Sequence, residues 1–340
     1  FCLIRNFQRL GWIIPYLFGA SPAVCKSFFG DKTVDLDEFD KSTYFGPYAT
    51  SLRMSDVGYK NKVQERLDIS YNNLKEYVHG LTRAIETPYP EYERIGMKAD
   101  GDYIQLNTNI LQIENEYYSF VRPKQIARSG EKPTLALLNR GVQYVEIRAL
   151  DVNLFDPVGI SEEQMRFLET FLIFCLLHES PALGSEERKD IGYNQQIVAC
   201  CGRDPNIRLR RRGQSLSVTD WAKEIHQEMQ PIAQLLDQKE DGEHYHDAIA
   251  AASTAISDPD QTPSARLLDA MRANHQTFYH TAMDMCEKHN AYFREINCPS
   301  DQVRFFEEEA AKSLQRQQEI EDANDISFEE YLNRYFEQSR

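Results

Sequence analysis

Gln143-Tyr-Val-Glu-Ile-Arg-Ala-Leu-Asp-Val-Asn153 reads as a strand, and soon after it Ser161-Glu-Glu-Gln164 opens a long apolar helix. In a strand Val145 and Ile147 point one way and Tyr144, Glu146 and Arg148 the other. Ser161 and Gln164 have the spacing of a capping box, and the helix they open ends near His178. Upstream, short strands and helices follow one another like a meander. Downstream, helices take over. Strands that succeed each other without long helices between them favour an antiparallel sheet over a doubly wound one. The expected architecture is α+β: an α+β region over residues 1–155, and a mainly helical region over 156–340 packing on it.

Residues 1–18 read as the tail of a helix and 19–42 as a loop. From Tyr44 to Ser55 the pattern is strand-like, with Thr50, Leu52 and Met54 alternating with Ser51, Arg53 and Ser55, so Arg53 is expected on the face opposite the apolar one. Residues 70–86 read as a helix with Leu74, Tyr77, Val78, Leu81 and Ile85 on one stripe, Ser70 as its cap and Pro88 as its stop. Residues 103–118 alternate again. Arg122, Lys124 and Arg128 read as a basic loop and 135–139 as a short helix. Further helices are expected over 217–237, 242–257, 263–290 and 300–320, ending in an acidic, solvated tail.

Composition narrows the function. Apolar residues make up 41% and charged residues 27%, which excludes a membrane-embedded or disordered chain. A net charge of −15 argues against a nucleic-acid binder or an anionic-membrane binder, while leaving room for a local basic pocket. The cysteines are odd in number with no C-x-x-C pair, as in a cytoplasmic protein with reduced thiols. Arg5 and Arg9 before the apolar run Leu10–Cys25 imitate a signal peptide. Pro15 and Pro22 interrupt that run, and it is shorter than the roughly 20 residues a membrane span needs, so it reads as buried chain. A start at Phe1, mid-helix and without Met, suggests that more chain precedes it.

No G-x-G-x-x-G, P-loop, H-E-x-x-H or G-x-S-x-G motif occurs. His244 and His246 read as surface histidines, and Glu307–Glu309 as a solvated face. What remains is Glu146 and Arg148 side by side on one strand face. Two readings fit them: a surface ion pair worth under ~1 kcal/mol, or a carboxylate for a hard cation beside a guanidinium that clamps a phosphate. Arg53 and the basic loop carry the same ambiguity.

Phe7–Cys25, Pro47-Tyr-Ala-Thr-Ser-Leu-Arg-Met-Ser-Asp-Val-Gly-Tyr59, Leu111-Gln-Ile-Glu-Asn-Glu-Tyr-Tyr118 and Tyr144–Asn153 closely resemble signatures of bacterial glutamate–cysteine ligase, and Asp258–Arg266 fits a later motif. The resemblance runs along the whole chain and is strongest to about residue 180. It implies a glutamine-synthetase-like catalytic fold with an antiparallel sheet holding Mg²⁺ and ATP. It also implies the first step of glutathione synthesis: ATP phosphorylates the γ-carboxylate of glutamate, and the amine of cysteine attacks the acyl phosphate. By the same resemblance Glu146 would be a Mg²⁺ ligand and Arg148 would stabilise the transferring phosphoryl group. Arg53 would pair with glutamate, Tyr59 and Tyr118 would line the cysteine pocket, and Arg122 and Lys124 would meet nucleotide phosphates.

The family's paired-glutamate strand and further metal ligands lie in a segment that these residues do not match. The chain therefore resembles the C-terminal two-thirds of such an enzyme, with part of the sheet, and alone is expected to be inactive. The expected partners are glutamate, cysteine and ATP, with no nucleic acid and no membrane. Two rival readings are a non-catalytic relic acting as a binding or regulatory protein, and a related ligase with another amine acceptor.

Overall fold

The computed structural model describes residues 1–58, 63, 67–239 and 241–338. The chain opens with α1 (Cys2–Leu10) and α2 (Ile13–Phe18), two helices where one was expected. The break falls at Gly11, where a Cβ would stand 2.4 Å from the Phe7 carbonyl oxygen. Then come β1 (Ala23–Cys25), β2 (Asp37–Glu38) and β3 (Thr43–Phe45), with β3 between the other two, all antiparallel. The expected 19–42 loop thus holds two short strands.

The strand expected to reach Ser55 stops at Phe45, and Leu52–Met54 is a 3₁₀ turn. The cause is tertiary. The N–H groups of Thr50 and Ser51 donate to the Ala199 carbonyl (3.0 and 3.1 Å), and the Thr50 hydroxyl donates to that of Val198 (2.9 Å). The two N–H groups thereby satisfy the carbonyl of Ala199 near the end of a later helix instead of a ladder.

α3 (Leu74–Glu86) is the expected amphipathic helix, but its cap is Asn73, whose side-chain oxygen accepts from Glu76 N–H at 2.9 Å. Ser70 donates to the Glu76 carboxylate instead. α4 (Pro90–Ile95) and the β4 (Lys98–Ala99)–β5 (Asp102–Tyr103) pair follow. The alternating 103–118 stretch forms no further strand, and Glu114–Glu116 is a 3₁₀ turn. Its side-chain amides take up main-chain groups: Gln112 accepts from Leu106 N–H (2.6 Å) and Asn107 donates to the Gln112 carbonyl (2.8 Å) within the stretch, while Asn109 donates to the Ile85 carbonyl of α3 (2.6 Å). Such bonds compete with a strand ladder.

β6 (Val121–Lys124), α5 (Pro133–Arg140) and β7 (Tyr144–Ile147) complete the first part. Arg122 and Lys124 therefore lie on a strand rather than in a loop.

The second part holds α6 (Glu162–Leu177), α7 (Ser185–Cys201), the β8 (Arg208–Arg211)–β9 (Gln214–Ser217) hairpin, α8 (Val218–Asp237), α9 (His244–Ser257), α10 (Pro263–Asn274), α11 (Phe278–Glu295), α12 (Ser300–Asp322) and α13 (Phe328–Phe336). The Ser161–Gln164 capping box forms as expected, with both reciprocal bonds in place. The helix expected over 263–290 is two. His275 takes the left-handed conformation (φ 51°) and Thr277 caps the second helix.

The class is α+β, as expected, with the described strands in small antiparallel sheets. One apolar core runs from α1 and α2 through α3 and β6 to α6, α8 and α9, with Phe7, Trp12, Ile13, Phe171 and Met229 fully buried. α12 buries no residue, as a solvated tail should, but the tail docks again at its end: α13 buries Leu332, the Tyr335 hydroxyl donates to Glu114 at 3.2 Å, and Lys132 donates to the Phe336 carbonyl at 3.0 Å. No helix among the described residues is long and apolar enough to cross a membrane.

Candidate active site

β6 and β7 pair antiparallel in a register that sets Val121 opposite Ile147, Arg122 opposite Glu146 and Lys124 opposite Tyr144. Val145 and Ile147 pack on the core. The other face gathers Arg122, Lys124, Glu146 and, just beyond the strand, Arg148. Cross-strand neighbours of opposite charge attract at this range. Arg122 donates to Glu146 Oε2 through Nε at 2.8 Å, and its Nη2 stands 2.7 Å from the same oxygen. Lys124 Nζ is 3.9 Å from it. The Arg122 side chain is buried because Nη1 reaches inward to the carbonyls of Asn115 (3.2 Å) and Tyr117 (3.0 Å).

Partial burial pushes the Glu146 carboxyl up. The Arg122 hydrogen bond and the charges of Arg122, Lys124 and Arg148 outweigh it and hold the carboxyl below its usual value. Burial, helped by Arg122 and Arg148, lowers the Lys124 ammonium, against the pull of Glu146. A carboxyl depressed in the folded state stabilises the fold above its unfolded pKa, and that contribution is lost as the pH falls through the folded value. The stability gap between the wild type and Glu146→Gln is therefore expected to be widest near neutrality and to close on acidification below about pH 4.5, the ordinary glutamate value. Thermal melts across pH 3–7 measure it, and a gap that persists at low pH contradicts it.

The Arg148 guanidinium lies 4.6 Å above the centre of the Tyr118 ring. Among the described residues it has no ion pair. Arg53 stands behind this stack. Nε donates to Asp151 (2.7 Å), Nη1 to the Tyr118 hydroxyl (2.6 Å), and Nη2 to the carbonyls of Arg148 (3.1 Å) and Leu150 (2.5 Å). The structure thus brings Arg53, Tyr118, Arg122, Lys124, Glu146 and Arg148 to one edge. Arg53 already spends its fork on protein acceptors, which leaves little of it for a substrate carboxylate. Tyr59 lies outside the described residues. Arg128, from the expected basic loop, is exposed and bonds locally through its N–H to Glu131.

Two cavities flank this edge. One of about 330 Å³ runs beside Arg122, Lys124 and Tyr144 over the apolar floor of Tyr77, Leu81 and Leu137. The other, about 600 Å³, opens beside Tyr118 and is lined by Asp56, Tyr71, Tyr117, Arg188 and Gln195. Sequence reading did not single out Asp151, although it sits three residues past Arg148 in the same motif.

Mg²⁺ prefers six oxygen ligands. Among the described residues no group of three His, Cys, Asp or Glu is placed to hold a metal. Glu146 has one oxygen engaged by Arg122, leaving Oε1 as the donor this face offers. The described residues therefore do not compose a Mg²⁺ centre.

The family model for glutamate-cysteine ligase matches residues 1–198. A glutamate–cysteine ligase of Alcanivorax borkumensis is 48% identical over 342 residues, covering 99% of this chain and 65% of that protein. One from Pseudomonas paraeruginosa is 45% identical over 333 residues, covering 98% and 63%. The crystal structure of a glutamate–cysteine ligase from Francisella tularensis in complex with AMP matches with a TM-score of 0.91 at 38% identity, over 98% of this chain and 66% of that one. A bifunctional glutathione synthetase from Pasteurella multocida, at TM-score 0.62 and 22% identity, shares the fold. The chain spans less than two-thirds of the length of these curated relatives.

Proposed function

We infer that this chain, which belongs to the glutamate–cysteine ligase family, supplies the phosphoryl-facing and cysteine-facing side of an ATP-dependent ligase. The reaction phosphorylates the γ-carboxylate of glutamate, and the amine of cysteine then displaces phosphate from the acyl phosphate. The observation that carries this reading is the Arg148 guanidinium stacked on Tyr118 beside the Arg122–Glu146–Lys124 cluster. In a chain of net charge −15, three cations gathered around one carboxylate make a local site for anionic oxygens.

Arg148 is assigned to the transferring phosphoryl group. Its planar fork matches that group's oxygens, and Tyr118 holds the fork's plane. Lys124 and Arg122 face the smaller cavity and are assigned to the nucleotide phosphates. Arg122 is the more committed of the two, because Glu146 and two carbonyls hold it. The apolar floor beside them suits a nucleoside base. Glu146 keeps Arg122 and Lys124 in place, and its second oxygen would be the single ligand this face could lend a Mg²⁺ ion whose other ligands come from elsewhere. Tyr118 and Tyr59 are assigned to cysteine. No disulfide joins the described cysteines, and we place the reaction in the cytoplasm, where thiols stay reduced.

Coupled measurement of ADP release in the protein carrying these residues tests the reading. Release that requires both glutamate and cysteine supports it. ATP binding without turnover would favour the non-catalytic reading. Tyr118→Phe removes the hydroxyl assigned to the cysteine carboxylate, and a hydrogen bond to a charged group is worth about 1.5–3 kcal/mol. It is expected to raise KM for cysteine by about tenfold or more. An unchanged KM for cysteine would point to a different amine acceptor.

A further inference from the structure

Asp151 follows β7 on the segment that leaves the strand, and its side chain is 3% exposed. Both carboxylate oxygens are filled. Oδ2 accepts from the Ala20 N–H at 2.9 Å and the Ser21 hydroxyl at 2.7 Å. Oδ1 accepts from the Ser51 hydroxyl at 3.0 Å and Arg53 Nε at 2.7 Å. These donors come from two segments that also bond to each other, Leu52 N–H donating to the Ser21 carbonyl at 2.8 Å. Their approach depends on Gly19, where a Cβ would meet the Thr50 carbonyl oxygen at 2.5 Å. A buried carboxylate with four donors is a fixed point, since moving it breaks several charge-assisted bonds at once.

Arg53 carries that fixed point outward. One end of its fork holds the Tyr118 hydroxyl, and the other holds the Arg148 and Leu150 carbonyls. The Tyr118 ring is the surface on which the Arg148 guanidinium lies. Arg148 is therefore constrained from two directions, through its own main chain and through its stacking partner. Both constraints end on Asp151.

We propose that Asp151 is a positioning residue of the ligase: acting through Arg53, it aims the Arg148 guanidinium by fixing both the Tyr118 ring and the Arg148 main chain. This rests on the assignment of Arg148 to the phosphoryl group. It departs from a direct role for Arg53 in gripping glutamate. Asn at 151 keeps the shape but loses the charge that matches Arg53, and it puts an NH₂ where an acceptor is needed.

The test compares the wild type, Asp151→Asn, Arg148→Ala and the double variant in glutamate- and cysteine-dependent ADP release. Asp151→Asn is expected to lower kcat by about 10–100-fold, the cost of misplacing a reacting group, with KM for ATP changed by less than about twofold. The double variant is expected to be no slower than Arg148→Ala alone, because both changes remove the same contribution. Losses that multiply, or a lower thermal midpoint with kcat per folded molecule unchanged, would overturn the proposal. Should Asp151→Asn not fold, Arg53→Lys replaces it. Its single ammonium cannot reach the Tyr118 hydroxyl and the two carbonyls together, so the same kcat loss and the same non-additivity are expected. A wild type that gives no dependent ADP release even when combined with the segment of the related ligases that this chain does not match would sink the ligase reading rather than this one. The positioning claim is then read from 3-fluorotyrosine at 118, whose ¹⁹F resonance is expected to shift in Asp151→Asn; an unmoved resonance would overturn it.

Discussion

Arg148→Ala is expected to lower kcat for ADP release by about 10²–10³-fold, the cost of removing one preorganised donor from a developing oxyanion. The KM for ATP is expected to change far less. The guanidinium is partly buried, stacked on an aromatic face and, among the described residues, without an ion pair. Among the described residues its donors meet no protein acceptor, unlike those of Arg53 and Arg122, and so suit a ligand. Charge on a transferring phosphoryl group spreads over several oxygens at once. A planar fork meets two of them, whereas a lysine ammonium meets the group as a point charge. Arg148→Lys should therefore recover no more than about tenfold of the loss, near one neutral-to-charged hydrogen bond in worth. Steady-state kinetics in ATP, with glutamate and cysteine saturating, separates the cases. A change confined to KM would make Arg148 a ground-state anchor for nucleotide. An unchanged kcat and KM would remove it from the site.

The chemistry-bearing strand was legible because its signal is local. Val145 and Ile147 against Glu146 and Arg148 is a period of two, and the structure puts the first pair on the core and the second on the open face. The capping box at Ser161 was legible for the same reason. The resemblance in the motifs around Arg53, Tyr118 and Arg148 reached the family that the comparisons show.

What misled was alternation without a partner strand. Residues 50–55 and 103–118 both alternate. In the first the N–H groups are drawn to the end of α7, and in the second side-chain amides take the bonds a ladder would use. Neither competitor lies in the pattern itself. Asp151 was missed because nothing local marks it: its four donors arrive from residues 20–53, and that convergence exists only in the fold. The same holds for Arg122, read as a loop cation and found buried across from Glu146.

Phe171→Ala is expected to cost about 3–5 kcal/mol, the range for deleting a fully buried aromatic ring from a packed core. Phe171 lies on α6 and is 0% exposed. Its ring meets Phe7 of α1 edge-on at 5.5 Å and stacks on Phe167 at 6.4 Å. The site therefore ties α1 to α6 across the boundary expected near residue 155 between an α+β region and a helical one, and a void there loosens both sides. We propose that the two regions unfold as one unit on this shared core. The chain carries its own reporters: Trp12, from the first region, and Trp221, from the second, are both buried with ring centres 5.1 Å apart. Urea melts followed by tryptophan fluorescence sense that junction, and far-UV circular dichroism senses the helices on either side. Coincident curves, both moved to lower urea by Phe171→Ala, are the expected result. Fluorescence that moves while the helical signal stays behind would mean that the regions hold together only at their contact and fold independently.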